Sequence, residues 1–193
     1  MPSRPIRLIV GLSNPGKQYQ DTRHNAGAWF VEQLANSYTE TLKPTAKFFG
    51  ATCSVQINQT ACHLLIPSTY MNHNGQSIAA IAKFYKIPAD AILIAHDELD
   101  FPAGTIRLKQ GGGHGGHNGL RDTISALGSA AFLRFRIGIG HPGNADQVSD
   151  YVLSKPSKHD YQRISSAISD GLTVIDSLIA GKTDHAIHQL HSD

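Results

Sequence analysis

The stretch Ile6-Arg-Leu-Ile-Val-Gly-Leu12 runs directly into a polar turn, Asn14-Pro-Gly-Lys-Gln-Tyr-Gln-Asp-Thr-Arg-His-Asn25. The first part is apolar on both faces, which is typical of a strand that is covered on both sides of a sheet. The second part places His24 between two side-chain amides, in a turn that leaves the end of this strand. Because ligands of open α/β sheets bind at the carboxyl ends of strands, the pattern predicts a histidine that faces a site outside the core.

Two later strand candidates also end in polar segments. Residues 92–95 run into the segment 96–100, which contains Asp97, and residues 105–109 run into the loop 111–119, which is rich in glycine. The three strand ends carry histidine, aspartate and asparagine side chains. We therefore expect one polar site that is built from all three.

The pattern of strand and helix candidates along the chain predicts the fold class. Strand candidates lie at residues 6–12, 51–57, 61–66, 92–96, 105–109 and 133–139, and helix candidates at 26–38, 75–86, 119–127 and 158–180. Since the second and third strands follow each other closely, they favour a hairpin and hence a mixed sheet. The prediction is an α/β fold: a single domain over residues 1–193, with a mixed central β-sheet and helices on both faces.

The composition narrows the class of protein. The chain has 193 residues, of which 40% are hydrophobic and 17% charged, as in an ordinary globular domain. No apolar run approaches the ~20 residues that span a bilayer, and the N-terminus leads straight into a strand, so we expect neither a membrane segment nor a secretory signal. Cys53 and Cys62 lie in apolar runs and are expected to be reduced core residues of a cytoplasmic protein. The scarcity of exposed apolar runs favours a monomer.

The charge is unevenly distributed along the chain. Residues 101–145 contain five basic residues and one acidic residue, whereas residues 146–193 contain four basic and seven acidic residues. A basic surplus around the glycine-rich loop suits an anionic ligand such as phosphate or nucleic acid. On charge alone, a solvated surface explains it equally well.

The glycine-rich loop does not favour a dinucleotide site. Gly111, Gly113 and Gly116 fit the GxGxxG pattern, but the next strand ends at 139–142 without the acidic residue that such a site requires. We expect instead a mobile loop that covers a site, because glycine permits hinge motion and close backbone approach.

Metal and covalent chemistry have weaker support. The chain has 11 histidines, but His114 and His117 stand in a glycine loop and not in a helical HExxH motif, and no cysteine cluster accompanies them. There is also no GxSxG nucleophile motif.

The remaining candidate for a catalytic residue is His24, which would take a proton from water, with Asp97 fixing its tautomer. Asparagines 14, 72 and 118 would then bind a carbonyl or amide, unless they only build turns.

Taken together, these segments resemble bacterial-type peptidyl-tRNA hydrolase over residues 6 to 142. The motifs that carry the resemblance, in the family's order, are Gly11-Leu-Ser-Asn-Pro-Gly16, Tyr19, Thr22-Arg-His-Asn-Ala-Gly27, Pro67-Ser-Thr-Tyr-Met-Asn72, His96-Asp-Glu-Leu-Asp100, Lys109, Gly111 through Asp122, and Arg136-Ile-Gly-Ile-Gly-His-Pro142. Each motif alone is weak, whereas the ordered set is highly specific. One departure is the segment His73-Asn74-Gly75, where the family usually has an apolar residue followed by Ser-Gly.

The resemblance implies hydrolysis of the ester that joins a peptide's C-terminus to the 3′ ribose of tRNA, without a metal or other cofactor. It implies contact with the tRNA acceptor end as partner, and the single-domain fold already predicted. The residues that match the family's site are the catalytic His24, Asp97 and Asn14, the substrate-binding Tyr19, Met71, Asn72, His117 and Asn118, and the tRNA-phosphate-binding Lys109 and Arg136.

Two other kinds of function remain open at this point. One is a metal-dependent phosphoesterase or nuclease that uses His114 with His117, or His96 with Asp97. The other is a tRNA-binding module without catalytic activity.

Overall fold

The computed structural model describes residues 3–192 and contains a seven-stranded sheet. The strands are β1 (Leu8–Gly11), β2 (Lys43–Thr45), β3 (Gly50–Ile57), β4 (Thr60–Pro67), β5 (Ile92–Glu98), β6 (Ile106–Gln110) and β7 (Leu133–Gly138). The helices are α1 (Ala26–Ser37), α2 (Asn74–Phe84), α3 (Asn118–Leu127), α4 (Val148–Val152), α5 (Lys158–Leu172), α6 (Ile175–Ile179) and α7 (Thr183–His191).

The strand order is β2-β3-β4-β1-β5-β7-β6. Strand β1 pairs in parallel with β4 and β5, and β5 pairs in parallel with β7. The pairs β2/β3, β3/β4 and β6/β7 are antiparallel. The predicted hairpin and the mixed sheet are therefore confirmed. Because β1, β5 and β7 are parallel, their carboxyl ends meet at one edge of the sheet.

Helices cover both faces of the sheet, as predicted. Ile9 belongs to a core that also contains side chains of α1, α5, α6 and α7. Its neighbours Leu8 and Val10 point to the opposite face, where α2 and α3 close a second core. This alternation follows from the two-residue period of a strand and explains why β1 reads as continuously apolar.

Helix α1 lies unusually close to the sheet at its first turn. A Cβ atom on Gly27 would lie 2.2 Å from the carbonyl oxygen of Ala95, and one on Gly11 would lie 2.2 Å from the carbonyl oxygen of Gly27. Only glycine permits this approach, since any side chain would overlap backbone atoms. The contact brings the turn before α1, which carries His24, against the carboxyl end of β5.

One helix prediction was wrong. The single helix expected over residues 158–180 is broken into α5 and α6 at Thr173 and Val174. Thr173 Oγ1 donates to the carbonyl oxygen of Asp170 at 2.6 Å, and both residues at the break are β-branched, which weakens the helix locally. The break lets Val174 and Ile175 both enter the core.

The prediction also missed short or terminal elements, namely β2, α4 and α7. Strand β2 is a three-residue edge strand that contains Pro44, and its apolar signal is too short to detect. Helix α7 covers the other edge of the sheet, because His191 Nε2 accepts a hydrogen bond from the backbone N–H of Leu108 at 3.0 Å.

Of the two cysteines, Cys62 is buried as expected, whereas Cys53 is only half-buried. No helix within residues 3–192 is both long and apolar enough to cross a membrane.

Candidate active site

The carboxyl ends of β1 and β5 open into a cavity of about 890 Å³, which Lys109 and the glycine-rich loop after β6 also line. All ten residues that the sequence singled out for a site line it: Asn14, Tyr19, His24, Met71, Asn72, Asp97, Lys109, His117, Asn118 and Arg136. Three chain segments far apart in sequence therefore converge, as predicted, but only two of them do so as strand ends at one edge of the sheet. Because β6 is antiparallel to β7, its carboxyl end lies at the other edge, and the glycine-rich loop that follows it returns to the cavity.

A carboxylate between two imidazoles forms the floor of the cavity. Asp97 lies at the end of β5 and is 3% exposed, so its charge depends on hydrogen bonds from the protein. Its Oδ2 accepts from His24 Nδ1 at 2.8 Å, and its Oδ1 accepts from His117 Nε2 at 2.7 Å. Both carboxylate oxygens are thus used, one by each histidine.

The hydrogen bonds fix the tautomers of both histidines. His117 is the N-cap of α3, and its Nδ1 accepts from the backbone N–H groups of Gly119 and Leu120 at 3.1 and 3.3 Å. The hydrogen on the His117 ring therefore resides on Nε2, where it faces Asp97. His24 gives its Nδ1 hydrogen to the same carboxylate, which leaves Nε2 as the nitrogen with a free lone pair.

The surroundings shift the pKa of His24 upward and that of Asp97 downward. Burial lowers the pKa of His24, but the charge of Asp97 and its hydrogen bond outweigh this effect, so the pKa is raised above 6.5. Burial raises the pKa of Asp97, but the two imidazoles together hold it well below its usual range. Asp97 is therefore ionised at neutral pH, and its negative charge stabilises the imidazolium form of His24.

A third histidine is buried behind this cluster. His96 is 1% exposed, and its Nδ1–H donates to the carbonyl oxygen of Asp97 at 2.8 Å. Burial, followed by the proximity of His117, lowers its pKa to about 3, so this imidazole stays neutral. Its ring packs edge-on against His117, with 5.2 Å between ring centroids. His96 thus supports the cluster without adding a charge.

The turn after β1 is held by two side-chain amides. Asn25 exchanges two hydrogen bonds of 2.9 Å with the backbone of Asn14, and Asn74 exchanges two of 3.0 Å with the backbone of Ser13. Asn74 also donates to the carbonyl oxygens of Thr69 and Tyr70. It is the residue at which the sequence departs from the family's usual Ser-Gly, and it joins the turn after β1 to the segment before α2.

A further hydrogen bond orients the side chain of Asn14. Asn14 Oδ1 accepts a hydrogen bond from the backbone N–H of Met71 at 2.7 Å. With its oxygen engaged, the amide presents Nδ2 as a donor at the cavity wall. Tyr19 lines the same cavity and packs edge-on against Tyr70, with 6.4 Å between ring centroids.

The comparisons with known proteins show which family the chain belongs to. The family model described as peptidyl-tRNA hydrolase matches residues 8–193. The chain belongs to the peptidyl-tRNA hydrolase family. A peptidyl-tRNA hydrolase of Halorhodospira halophila is 52% identical over 187 residues, which cover 97% of this chain and 96% of the relative. One from Saccharophagus degradans is 53% identical over 192 residues, covering 99% and 98%.

Solved structures agree as well. The crystal structure of peptidyl-tRNA hydrolase from Acinetobacter baumannii has a TM-score of 0.94 and 50% identity, and the match covers 97% of this chain and 95% of the other. The activity of the chain is that of the family, hydrolysis of the ester bond in peptidyl-tRNA.

Peptidyl-tRNA hydrolase acts on a polyanion, and basic side chains occupy one wall of the cavity. Lys109 and Arg134 are partners in the β6/β7 pairing, and Arg136 lies two residues further on the same face of β7. Arg136 is not free: its Nε donates to Glu98 Oε1 at 3.2 Å, and its guanidinium stacks over the ring of Phe101. Lys109 is exposed.

Arg134 and Glu98 also line the cavity, but sequence reasoning did not assign either of them to a site. Arg134 is 4% exposed, and the only signal for it is a charged residue in an otherwise apolar strand. Glu98 was visible at the strand end, but its pairing with Arg136 depends on which strands are neighbours. For metal binding, ligand atoms of His24, Asp97 and His117 lie within 4.8 Å of one another, although an ion there would displace both hydrogen bonds to the carboxylate.

Proposed function

We propose that the chain cleaves the ester of peptidyl-tRNA with a water molecule that His24 activates, without a metal ion. The observation that carries the proposal is the hydrogen bond from His24 Nδ1 to the buried carboxylate of Asp97 at 2.8 Å, which leaves Nε2 as a base on the cavity. A neutral imidazole near its ordinary pKa is suited to removing a proton from water at neutral pH.

The chemistry proceeds through a tetrahedral intermediate. Nε2 of His24 takes a proton from water, and the oxygen attacks the ester carbonyl carbon. The charge of Asp97 stabilises the imidazolium that forms. When the intermediate collapses, the bond to the 3′ oxygen of the ribose breaks, and that oxygen takes the proton from the imidazolium. The products are a free peptide carboxyl group and free tRNA.

The amides on the cavity wall are assigned to the substrate. Asn14 Nδ2 is a fixed donor, because its oxygen is held by Met71, and it stabilises negative charge on the carbonyl oxygen. Asn72 and Asn118 are exposed at the cavity rim and bind the peptide backbone. Tyr19 and Met71 contribute apolar surface, and His117 holds the second oxygen of Asp97.

The anionic part of the substrate is assigned to the basic wall. Lys109 and Arg136 would contact phosphates of the tRNA acceptor end. We further propose that residues 1–193 act as one domain and as a monomer. We also propose that the protein works in the cytoplasm, where ribosomes release the substrate.

The test compares N-blocked and free aminoacyl-tRNA as substrates, with and without EDTA. We expect release of the amino acid from the N-blocked substrate, unchanged by EDTA. Activity that disappears with EDTA and returns with a divalent ion would instead support a metal site at His24, Asp97 and His117. Binding of tRNA without release would support a module without catalytic activity.

A further inference from the structure

Arg134 is a buried cation without a carboxylate partner. Arg134 is 4% exposed, and among residues 3–192 no carboxylate oxygen lies within ion-pair distance of its guanidinium. Its neighbours on the same face of the β6/β7 pair, Lys109 and Arg136, are also basic. A buried charge is costly unless hydrogen bonds compensate it. The compensation here comes from hydrogen bonds to backbone carbonyl groups, together with the nearby charge of Glu98.

These carbonyl groups belong to the start of the glycine-rich loop. Arg134 Nη1 donates to the oxygen of Gly113 at 2.8 Å, and Nη2 donates to the oxygen of Gly111. The guanidinium fills the space beside the residue between them, since a Cβ atom on Gly112 would lie 2.5 Å from Nη2. Gly111 and Gly112 have φ values of 66° and 97°, so the loop reaches this arrangement only with glycine.

The other end of the loop is held by a different contact. His117 caps α3 through Nδ1 and donates to Asp97 through Nε2. Between the two anchors the loop is open, because a Cβ atom on Gly113, Gly115 or Gly116 would meet nothing within 4 Å. The loop is therefore fixed at its first turn by Arg134 and at its last residue by the catalytic cluster.

We propose that Arg134 is a positioning residue, whose bidentate hold on the first turn of the glycine-rich loop keeps His117 in contact with Asp97. Arg134 acts through the loop and does not itself contact the ester. The guanidinium is suited to this role because its planar fork reaches two carbonyl oxygens at once, which an ammonium group cannot do in the same geometry. The kinetic part of the inference rests on the proposed function, whereas the anchoring of the loop does not.

The test uses Arg134→Met and Arg134→Lys in the full chain. We expect both variants to speed amide hydrogen exchange in residues 111–116 and to lower kcat by about tenfold, less than the roughly 10²-fold that a misplaced site can cost. The loss should be equal on full-length peptidyl-tRNA and on a minimal ester with a single nucleotide. The lysine variant keeps the charge, so its failure to restore kcat separates anchoring from electrostatic attraction.

A second pair of variants disturbs the same contact from the loop side. Gly112→Ala would push a methyl group into the Arg134 guanidinium, and we expect it to reproduce the effects of Arg134→Met. The matched control is Gly143→Ala, because Gly143 has a similar φ of 91° but no atom within 4 Å of its added Cβ. The control should bear the backbone strain and keep the wild-type kcat and loop exchange.

Three outcomes would overturn the inference. Wild-type kcat and loop exchange in Arg134→Lys would make charge alone responsible. A rise in KM confined to full-length tRNA would make Arg134 a phosphate contact. Faster exchange across the entire sheet would make it a general stability residue. Should His24→Ala remain active while Arg134→Met still loosens the loop, the proposed mechanism would fail and the anchor would stand.

Discussion

At His24, burial and charge have opposite effects on the same imidazole. Burial favours the neutral form, whereas Asp97 favours the protonated form and prevails, so the pKa is raised above 6.5. In the role proposed for it, His24 must be neutral to accept a proton, so the raised pKa would reduce the fraction of active enzyme at acid pH. In the proposed reaction, the same charge of Asp97 would stabilise the imidazolium of His24 as it forms.

The first prediction concerns pH. In the wild-type protein, kcat/KM should rise with pH through the pKa of His24, with an acid limb above 6.5. In the Asp97→Asn variant the carboxylate charge is absent, and the burial of His24 alone shifts its pKa. The acid limb of kcat/KM should therefore move to lower pH while kcat falls. Measuring kcat/KM from pH 4 to 9, a range of about five units around the ordinary histidine pKa, tests this. An acid limb in the same place in both proteins would remove Asp97 as the cause.

The second prediction concerns the loss of the base. His24→Ala should lower kcat by about 10²- to 10⁴-fold, the usual contribution of a general base. His24 is 8% exposed and bonded to a buried carboxylate, so the alanine variant should also lose roughly 1–3 kcal/mol of stability. His24→Asn is the matched control, because its amide keeps a donor for Asp97.

The asparagine variant should fold more stably than the alanine variant and be equally inactive. Thermal unfolding and single-turnover release give the two readouts. Substantial hydrolysis by folded His24→Asn would assign the base elsewhere.

At the residue scale, sequence reasoning was informative where polar groups follow a strand directly. His24 and Asp97 were recognisable because each stands at the end of an apolar run. Arg134 was not, since alternation along a strand does not tell which inward position carries a charge. Its partners are backbone carbonyls of a loop, and these leave no pattern in the sequence.

At the scale of elements, the site depends on how closely α1 approaches the sheet. The turn that carries His24 continues directly into α1, and Gly27 in its first turn contacts the backbone of β5. The distance between His24 and Asp97 is thus fixed by a contact between backbones and not by side-chain packing. Backbone contacts of this kind are rigid, which suits a catalytic pair.

The third prediction tests this contact. Gly27→Ala places a methyl carbon within 2.2 Å of the Ala95 oxygen, so α1 must move outward. We expect a loss of about 1–3 kcal/mol, or more, because the obstacle is backbone and cannot rotate away. Hydrolysis should fall further than stability explains, since His24 moves with α1. Chemical denaturation and kcat at a temperature where the variant is folded measure the two effects.

Gly128→Ala provides the comparison for the third prediction. Gly128 ends α3 with a φ of 66°, and a Cβ atom there would meet nothing within 4 Å. It should cost stability without lowering kcat. A Gly27→Ala protein with wild-type kcat would show that α1 can move without moving His24.

The elements themselves were predictable to different degrees. Strands β1, β3, β4, β5, β6 and β7 were recognisable because their apolar runs are long enough to bury a face. The break between α5 and α6 was not, because Tyr161, Ile164, Ile168, Leu172, Ile175 and Ile179 keep a helical spacing through it. Tertiary burial of Val174 decides the break, and no local periodicity reports it.

At the scale of the whole molecule, three of the five basic residues within 101–145 lie on one wall of the cavity. Lys109, Arg134 and Arg136 all line it. Their availability differs: Arg134 is committed to the loop and Arg136 is paired with Glu98, whereas Lys109 is exposed. The charge counted from the sequence therefore overstates the charge that a phosphate can meet.

The fourth prediction follows from this difference. Lys109→Ala should raise KM for full-length tRNA substrate and reduce the salt dependence by about one unit of slope, with little effect on a minimal ester. Arg136→Ala should change the salt dependence less and lower stability, because Glu98 loses its partner. Glu98→Gln should have the opposite effect on KM, since it releases Arg136 for the substrate.

The control for the fourth prediction is Arg107→Ala. Arg107 is paired with Arg136 across β6 and β7 but is not among the described residues that line the cavity. It should leave KM nearly unchanged. Equal losses on both substrates in Lys109→Ala, at a normal melting temperature, would place Lys109 in the ester site and not at a phosphate.

The hydrogen bond from Leu108 to His191 places α7 against the edge strand β6. An unpaired edge strand is a template for strand addition, and α7 blocks β6 with a neutral imidazole acceptor. Burial, followed by the charge of Arg107, lowers the pKa of His191, so the cap is intact above the ordinary value of 6.5 and is lost as the pH falls through the lowered one. Acidification would thus release the outward-facing amide of Leu108 at this edge of the sheet, and we expect any filament growth or turbidity at low pH to begin there.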